Sequence, residues 1–170
     1  MTVSLILGGA RSGKSRRAQS LAEAHVGPRV FIATAEAMDD EMTARIAQHQ
    51  ADRGEEWTHA IEAPVDLANA LTKAEDIGRV ILVDCLTVWL SNLMYHEVDL
   101  DSATDALLKT LQAARTDIIL VTNEVGLGLV PETPLGREFR DLQGRLNQQV
   151  AGIADRVEFV AAGLPLTLKG

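Results

Sequence analysis

Two stretches of this 170-residue chain hold residue types spaced for phosphate chemistry. The first, GGARSGKS, comprises Gly8, Gly9, Ala10, Arg11, Ser12, Gly13, Lys14 and Ser15. It matches G-x-x-x-x-G-K-[ST], a loop whose inward-pointing backbone N–H groups cradle phosphates. Gly8 and Gly13 allow the tight turn. Lys14 is expected to reach the β- and γ-phosphates, and the Ser15 hydroxyl to help hold Mg²⁺. The second stretch, RIAQHQADR, places His49 four residues after Arg45 and four before Arg53. On a helix that spacing stacks the three side chains on one face. Two guanidinium groups suit phosphate oxygens, and their field disfavours imidazolium. A neutral His49 keeps a lone pair that can attack phosphorus and form a phosphoramidate. The same face also suits a packing stripe of Met42 and Ile46 with His49 at its edge. Spacing alone leaves both readings open.

These groups need a frame, and the apolar pattern supplies one. VSLIL before the phosphate loop reads as a buried strand, and KSRRAQSLAEAH after it as a helix. RVFIAT, RVILVDC, DIILVTNEVG (leading into a glycine-rich loop) and RVEFVAAG read as further strands, with WTHAIEAP a short extended piece and LPLTLK an edge strand. Helical patterns separate them: residues 39–53, VDLANALTKAE, TVWLSNLM, SATDALLKTLQAA and a long segment over residues 135–154. Strands alternating with helices imply an α/β fold with a mostly parallel sheet, flanked by helices, in one domain over residues 1–170. Asp84 ends the apolar run VILVD, where a second carboxylate of a nucleotide site would act on Mg²⁺ or its waters. Cys85 after it reads as a small buried residue. His25, His59 and His96 lack comparable neighbours, and Trp57 and Trp89 read as packing residues.

Composition narrows the function further. Apolar residues make up 46% and charged residues 24%, which is ordinary globular usage. The net charge of −8 disfavours a general nucleic-acid binder, so phosphate affinity has to be local. No apolar run is long enough for a membrane span. A single cysteine excludes an intramolecular disulfide. The opening residues read as a strand and not as a signal peptide, which gives a cytoplasmic expectation.

In order along the chain, GGARSGKS, FIATA, DDEMTARIAQHQADR, WTHAIEAP, ILVDCLTVWLSNL and VTNEVGLGLVPETPLGREFRDLQGRLNQ resemble one family. It is the bifunctional adenosylcobinamide kinase/adenosylcobinamide-phosphate guanylyltransferase family of cobalamin biosynthesis. The resemblance covers essentially the whole chain. It implies a P-loop nucleotide-binding fold and two reactions. In the first, a nucleoside triphosphate, ATP or GTP, phosphorylates adenosylcobinamide. In the second, GMP from GTP is carried on a histidine, matched here by His49, and passed to adenosylcobinamide phosphate. Some members have a further histidine just before that position, where this chain has Gln48. The resemblance also implies nucleotide contacts at residues 8–15, at Ala33, Thr34 and Ala35, at Gln50, Ala51, Asp52 and Arg53, and at Glu62 and Asp84. It further implies a homotrimer.

Two other readings fit parts of the sequence. One is a simple P-loop small-molecule kinase in which His49 only touches phosphate. The other is a nucleotide-driven switch, with the glycine-rich stretch TNEVGLGLVPETP moving against a partner. That stretch suits a substrate lid equally well.

Overall fold

The structure is a computed structural model that describes residues 1–36, 57 and 59–170. Its centre is a seven-stranded sheet in the order β3-β2-β4-β5-β1-β6-β7. The strands are β1 (Val3–Gly8), β2 (Arg29–Ala33), β3 (His59–Glu62), β4 (Val80–Asp84), β5 (Asp117–Asn123), β6 (Arg156–Ala161) and β7 (Leu164–Lys169). All neighbours run parallel except β6 and β7, which form the antiparallel edge expected from LPLTLK. The inner strands are short and β-branched, and β1 is buried along its whole length, as suits a sheet covered on both faces.

Alternation along the strands divides the core. Val3, Leu5 and Leu7 of β1 face one way, with Ile81 and Val83 of β4 and Ile118 and Leu120 of β5. They meet four helices: α2 (Leu67–Glu75), α3 (Leu86–Tyr95), α4 (Leu100–Gln112) and α5 (Pro134–Ile153). On the other face Ile6, Phe31, Val80, Leu82, Ile119 and Val121 pack on Ala18 and Ala22 of α1 (Lys14–Glu23). Small residues on α1 bring this helix close to the sheet, and with it the loop that precedes it. Val88 at the start of α3 packs against the same cluster.

The helix starts show why the chain breaks where it does. Asp66 caps α2, Asp99 caps α4 and Thr133 caps α5, each accepting from a backbone N–H of the first turn. Pro134 at the start of α5 gives up no needed donor. The Cys85 sulfur stands in this position for α3. Helix α1 differs: its N-cap is Gly13, at φ 96°, and no side chain caps it. Its first N–H groups are left for something outside the helix.

Candidate nucleotide site

The phosphate loop joins β1 to α1 and is held on three sides. The Ser12 N–H bonds the Gly9 carbonyl at 3.3 Å, while the Glu124 N–H, just beyond β5, bonds the Gly8 carbonyl at 3.1 Å. From the β6–β7 turn, the Gly163 N–H bonds the Ser12 carbonyl at 2.7 Å. Glycine is required at two of its positions. A Cβ on Gly8 would come within 2.4 Å of the Val160 carbonyl oxygen, and one on Gly13 within 3.1 Å of Gly163 Cα. The uncapped start of α1 therefore combines its free N–H groups and positive dipole end with a backbone concavity, the physical form of an anion site.

Lys14 folds back over this loop, its Nζ donating to the Gly9 carbonyl at 3.1 Å. Burial pulls its ammonium below the ordinary lysine value, and the nearby Asp84 opposes that shift. Asp84 ends β4 and Gly8 ends β1, with β5 between them. The loop, Lys14 and Asp84 thus share one sheet edge. Among the described residues no three His, Cys, Asp or Glu side chains gather as a metal cage. The donors present here are a hydroxyl, Ser15, and a carboxylate, Asp84. That set fits Mg²⁺ held largely through nucleotide phosphates and water, as is usual for this hard cation.

The other edge residues line up in register. Ala33 of β2 lies between Glu62 of β3 and Asp84 of β4. From Gly8 to Glu62 is four strand spacings, roughly 19 Å, a span comparable to an extended nucleoside triphosphate. Thr34 latches this edge together. Its hydroxyl donates to the Cys85 carbonyl at 2.8 Å and accepts from the Cys85 N–H at 2.9 Å. Its own N–H bonds the Asp84 carbonyl, and its carbonyl accepts from Asn92 Nδ2 at 2.7 Å. Asn92 reaches the Pro64 carbonyl as well, and Trp89 Nε1 donates to the Val65 carbonyl. Helix α3 thereby fixes the ends of β2, β3 and β4.

Behind α1, Glu158 of β6 is only 1% exposed and is gripped by two arginines. Arg17 donates from Nε at 2.8 Å and from Nη2 at 3.0 Å, and Arg156 donates to the same carboxylate. The Arg17 hydrogen bonds, the leading cause, hold the carboxyl below its ordinary range. The pair ties the second turn of α1 to the sheet and so sets the height of the phosphate loop.

Comparisons with known proteins place the chain in a family. The family model for cobinamide kinase / cobinamide phosphate guanyltransferase matches residues 4–168. The bifunctional adenosylcobalamin biosynthesis protein CobP of Pseudomonas aeruginosa is 50% identical over 98% of this chain and 96% of its own length. The chain belongs to the cobinamide kinase / cobinamide phosphate guanyltransferase family. The bifunctional adenosylcobalamin biosynthesis protein CobU of Escherichia coli is 36% identical, over 97% of this chain and 98% of its own. Solved structures share the fold at low identity. The flagellar accessory protein FlaH of Methanocaldococcus jannaschii has a TM-score of 0.56 at 15% identity, covering 99% of this chain and 78% of that one. An ATPase from a type III secretion system has a TM-score of 0.60 at 12% identity, covering 98% and 56%.

Within this cobinamide kinase / cobinamide phosphate guanyltransferase fold, the residues expected from sequence fall into two groups. Residues 8–15, Ala33, Thr34, Ala35, Glu62 and Asp84 lie along or beside the C-terminal edge of the sheet. Arg45, His49, Gln50, Ala51, Asp52 and Arg53 lie outside the described residues. Cys85 is buried, and burial together with Asp84 pushes its thiol up to about 11, so it is no nucleophile at neutral pH. Trp89 is core, and Trp57 packs edge-on against Phe31. His25 pairs with Asp117 and His96 with Glu36, away from the loop. The latch made by Thr34 and Asn92 was not anticipated. Neither residue has a motif of its own, although the small residues ATA, Ala33 to Ala35, at the end of an apolar strand were the available signal for the first.

Proposed function

We propose that this chain phosphorylates adenosylcobinamide with a nucleoside triphosphate, and then transfers GMP from GTP through a covalent histidine to adenosylcobinamide phosphate, giving adenosylcobinamide-GDP. The observation that carries this reading is the near-full-length 50% identity to a relative named as a bifunctional adenosylcobalamin biosynthesis protein. In the kinase step, the N–H groups of residues 8–15 and the Lys14 ammonium hold the β- and γ-phosphates while the acceptor hydroxyl attacks. Lys14 disperses the charge that builds on the transferring group, and the partly buried setting strengthens its effect. Ser15 and Asp84 would hold Mg²⁺, which supplies further charge neutralisation on the phosphates. Ala33, Ala35 and Glu62 lie where the nucleoside end would rest.

For guanylyl transfer, His49 is assigned the attacking nitrogen. Arg45 and Arg53 neutralise the α-phosphate, with Gln50, Ala51 and Asp52 alongside the nucleotide. The N–Pα bond forms as the bond to pyrophosphate breaks, and the acceptor phosphate later displaces His49. The protein is read as a cytoplasmic homotrimer. Exposed apolar side chains on β7 (Leu164, Leu166 and Leu168) and on the loop before α5 (Leu127, Leu129 and Val130) support a subunit contact.

The test uses α-labelled GTP with Mg²⁺ and no corrinoid. One GMP per chain should attach with release of pyrophosphate, through a bond labile in acid and stable in alkali. Peptide mapping should place it on His49, and His49→Ala should lose both the adduct and guanylyl transfer while keeping kinase activity. An adduct on another residue, or normal transfer by His49→Ala, would refute the histidine route and leave a simple kinase.

A further inference from the structure

We propose that Asn123 is a catalytic residue of the phosphoryl-transfer step, its side-chain amide donating to the γ-phosphate. The inference rests on the kinase reading above and gives a role to a residue that the sequence reading left without one of its own.

The first observation is position. Asn123 is the last residue of β5 and pairs in register with Gly8, where the phosphate loop begins. On the other side of β5, Asp84 pairs with Val121. Asn123 therefore overhangs the Asp84 level by two residues, roughly 7 Å along the strand. It stands between the loop and the carboxylate, on the strand that separates them. Direction comes from alternation. Ile119 and Val121 pack on the α1 face, while Thr122 turns to α5 on the opposite face. The side chain of Asn123 follows Val121 onto the face of α1, where Lys14 also lies.

The second observation is how firmly its backbone is held while its carboxamide is left unused. The Asn123 N–H donates to Thr87 Oγ1 at 2.8 Å, and its carbonyl accepts from Asn147 Nδ2 at 3.0 Å. Those two bonds set the direction of a buried network. With Thr87 Oγ1 accepting from the backbone, its own proton faces Thr122 Oγ1 at 3.5 Å. Thr122 donates to Asn147 Oδ1 at 2.7 Å, and Gln143 Nε2 donates to both, at 3.0 and 2.9 Å. Asn147 must then present its nitrogen to Asn123, as it does. The next residue, Glu124, bonds the Gly8 carbonyl. Three successive backbone groups are thus pinned, whereas the Asn123 carboxamide, half-buried, has no hydrogen-bond partner among the described residues. Such a preorganised donor, aimed at the place where charge develops, is the arrangement that lowers a transfer barrier.

In the step itself, the acceptor oxygen bonds to Pγ as the bond from Pγ to the β–γ bridging oxygen breaks. The nucleoside diphosphate leaves with the electron pair, and the hydroxyl proton passes to solvent. Asn123 takes no proton. It donates one N–H to a γ-oxygen throughout, and binds more strongly as negative charge shifts toward the bridge and the equatorial oxygens.

The experiment compares wild type, Asn123→Ala and Asn123→Asp in steady-state phosphorylation of cobinamide, and in slow γ-phosphate hydrolysis with water as acceptor. Nucleotide affinity is measured in parallel with a fluorescent triphosphate, and folding by thermal melts. Asn123→Ala should lose about 10²-fold in kcat, with nucleotide affinity changed by no more than about 3-fold, well under 1.4 kcal/mol. Asn123→Asp, with a like charge facing the phosphate, should lose at least as much. A merely structural role would lower the melting temperature and nucleotide affinity along with kcat. Either that pattern or kcat values within about 3-fold of wild type in both variants overturns the proposal. If Asn123→Asp does not fold, the alanine variant decides. If wild type fails to phosphorylate cobinamide, the substrate reading falls and the hydrolysis arm still judges Asn123. Absence of γ-transfer to either acceptor overturns both.

Discussion

Replacing Thr34 with valine removes the hydroxyl latch while keeping side-chain shape. Thr34 is fully buried, and its hydroxyl serves both the N–H and the carbonyl of Cys85. The carbonyl keeps a second partner in the Trp89 N–H at 3.1 Å, so its loss is the smaller, about 0.5–1 kcal/mol. Among the described residues the Cys85 N–H is left with no other hydrogen-bond acceptor, and an orphaned buried donor costs about 1–3 kcal/mol. The added methyl returns roughly 0.8 kcal/mol. The net expectation is a loss of about 2 kcal/mol, or a fall of roughly 4–8 °C in Tm for a domain of this size. Urea unfolding followed by far-UV circular dichroism measures it, with the m-value unchanged. Thr34→Ser keeps both hydrogen bonds and should lose less, near the cost of one buried methyl. Because the latch fixes Asp84 beside Lys14, kcat/KM for phosphorylation should fall in Thr34→Val as well. A stability loss under about 0.5 kcal/mol, or a serine variant worse than the valine one, would refute the account of the latch.

Lys14→Ala should abolish or severely reduce cobinamide phosphorylation, by at least about 10²-fold in kcat. The fold should survive, since among the described residues the lysine hydrogen-bonds only the Gly9 carbonyl, and a normal melt with near-normal kinase rate would remove it from the mechanism. Glu158→Gln should destabilise by roughly 2 kcal/mol, less than a fully buried pair because Arg17 and Arg156 reach solvent. The carboxyl of Glu158 is held below its ordinary value in the folded state. Its contribution is therefore complete above the ordinary carboxylate range and disappears as pH falls through the lowered folded value. Denaturation curves from pH 7 down to pH 3 should show the acid loss shrinking in the glutamine variant. Parallel acid profiles for both proteins would contradict this.

Sequence and structure meet most closely where local pattern decides the outcome. The strand–glycine–helix order around residues 8–15 and the apolar run closing on Asp84 were legible because both are contiguous. So was the antiparallel edge at residues 164–169, through its short apolar run after a glycine. The spatial order of the strands was not legible: nothing in the stretch VILVD says that β5 will lie between it and β1. The Thr34 latch and the Thr122–Gln143–Asn147 network were hidden for the same reason. Their partners lie 51 and 21 to 25 residues apart and meet only after the crossovers are in place. Residues 45–53, which carry the histidine reading, lie outside the described residues, so for them the sequence remains the whole argument.

The β6–β7 turn has a consequence in time. The phosphate loop spans residues 8–15, yet one of its hydrogen bonds comes from Gly163, far along the chain. The strand leading into it waits too, since β1 lies between β5 and β6, whose register partners are residues 118–123 and 156–160. Synthesis makes the loop before these supports, and pairings between such distant segments form slowly. A nascent chain therefore carries an unsupported phosphate loop until β5, β6 and the β6–β7 turn have been made. Competence at this loop should arrive abruptly, once those strands have paired.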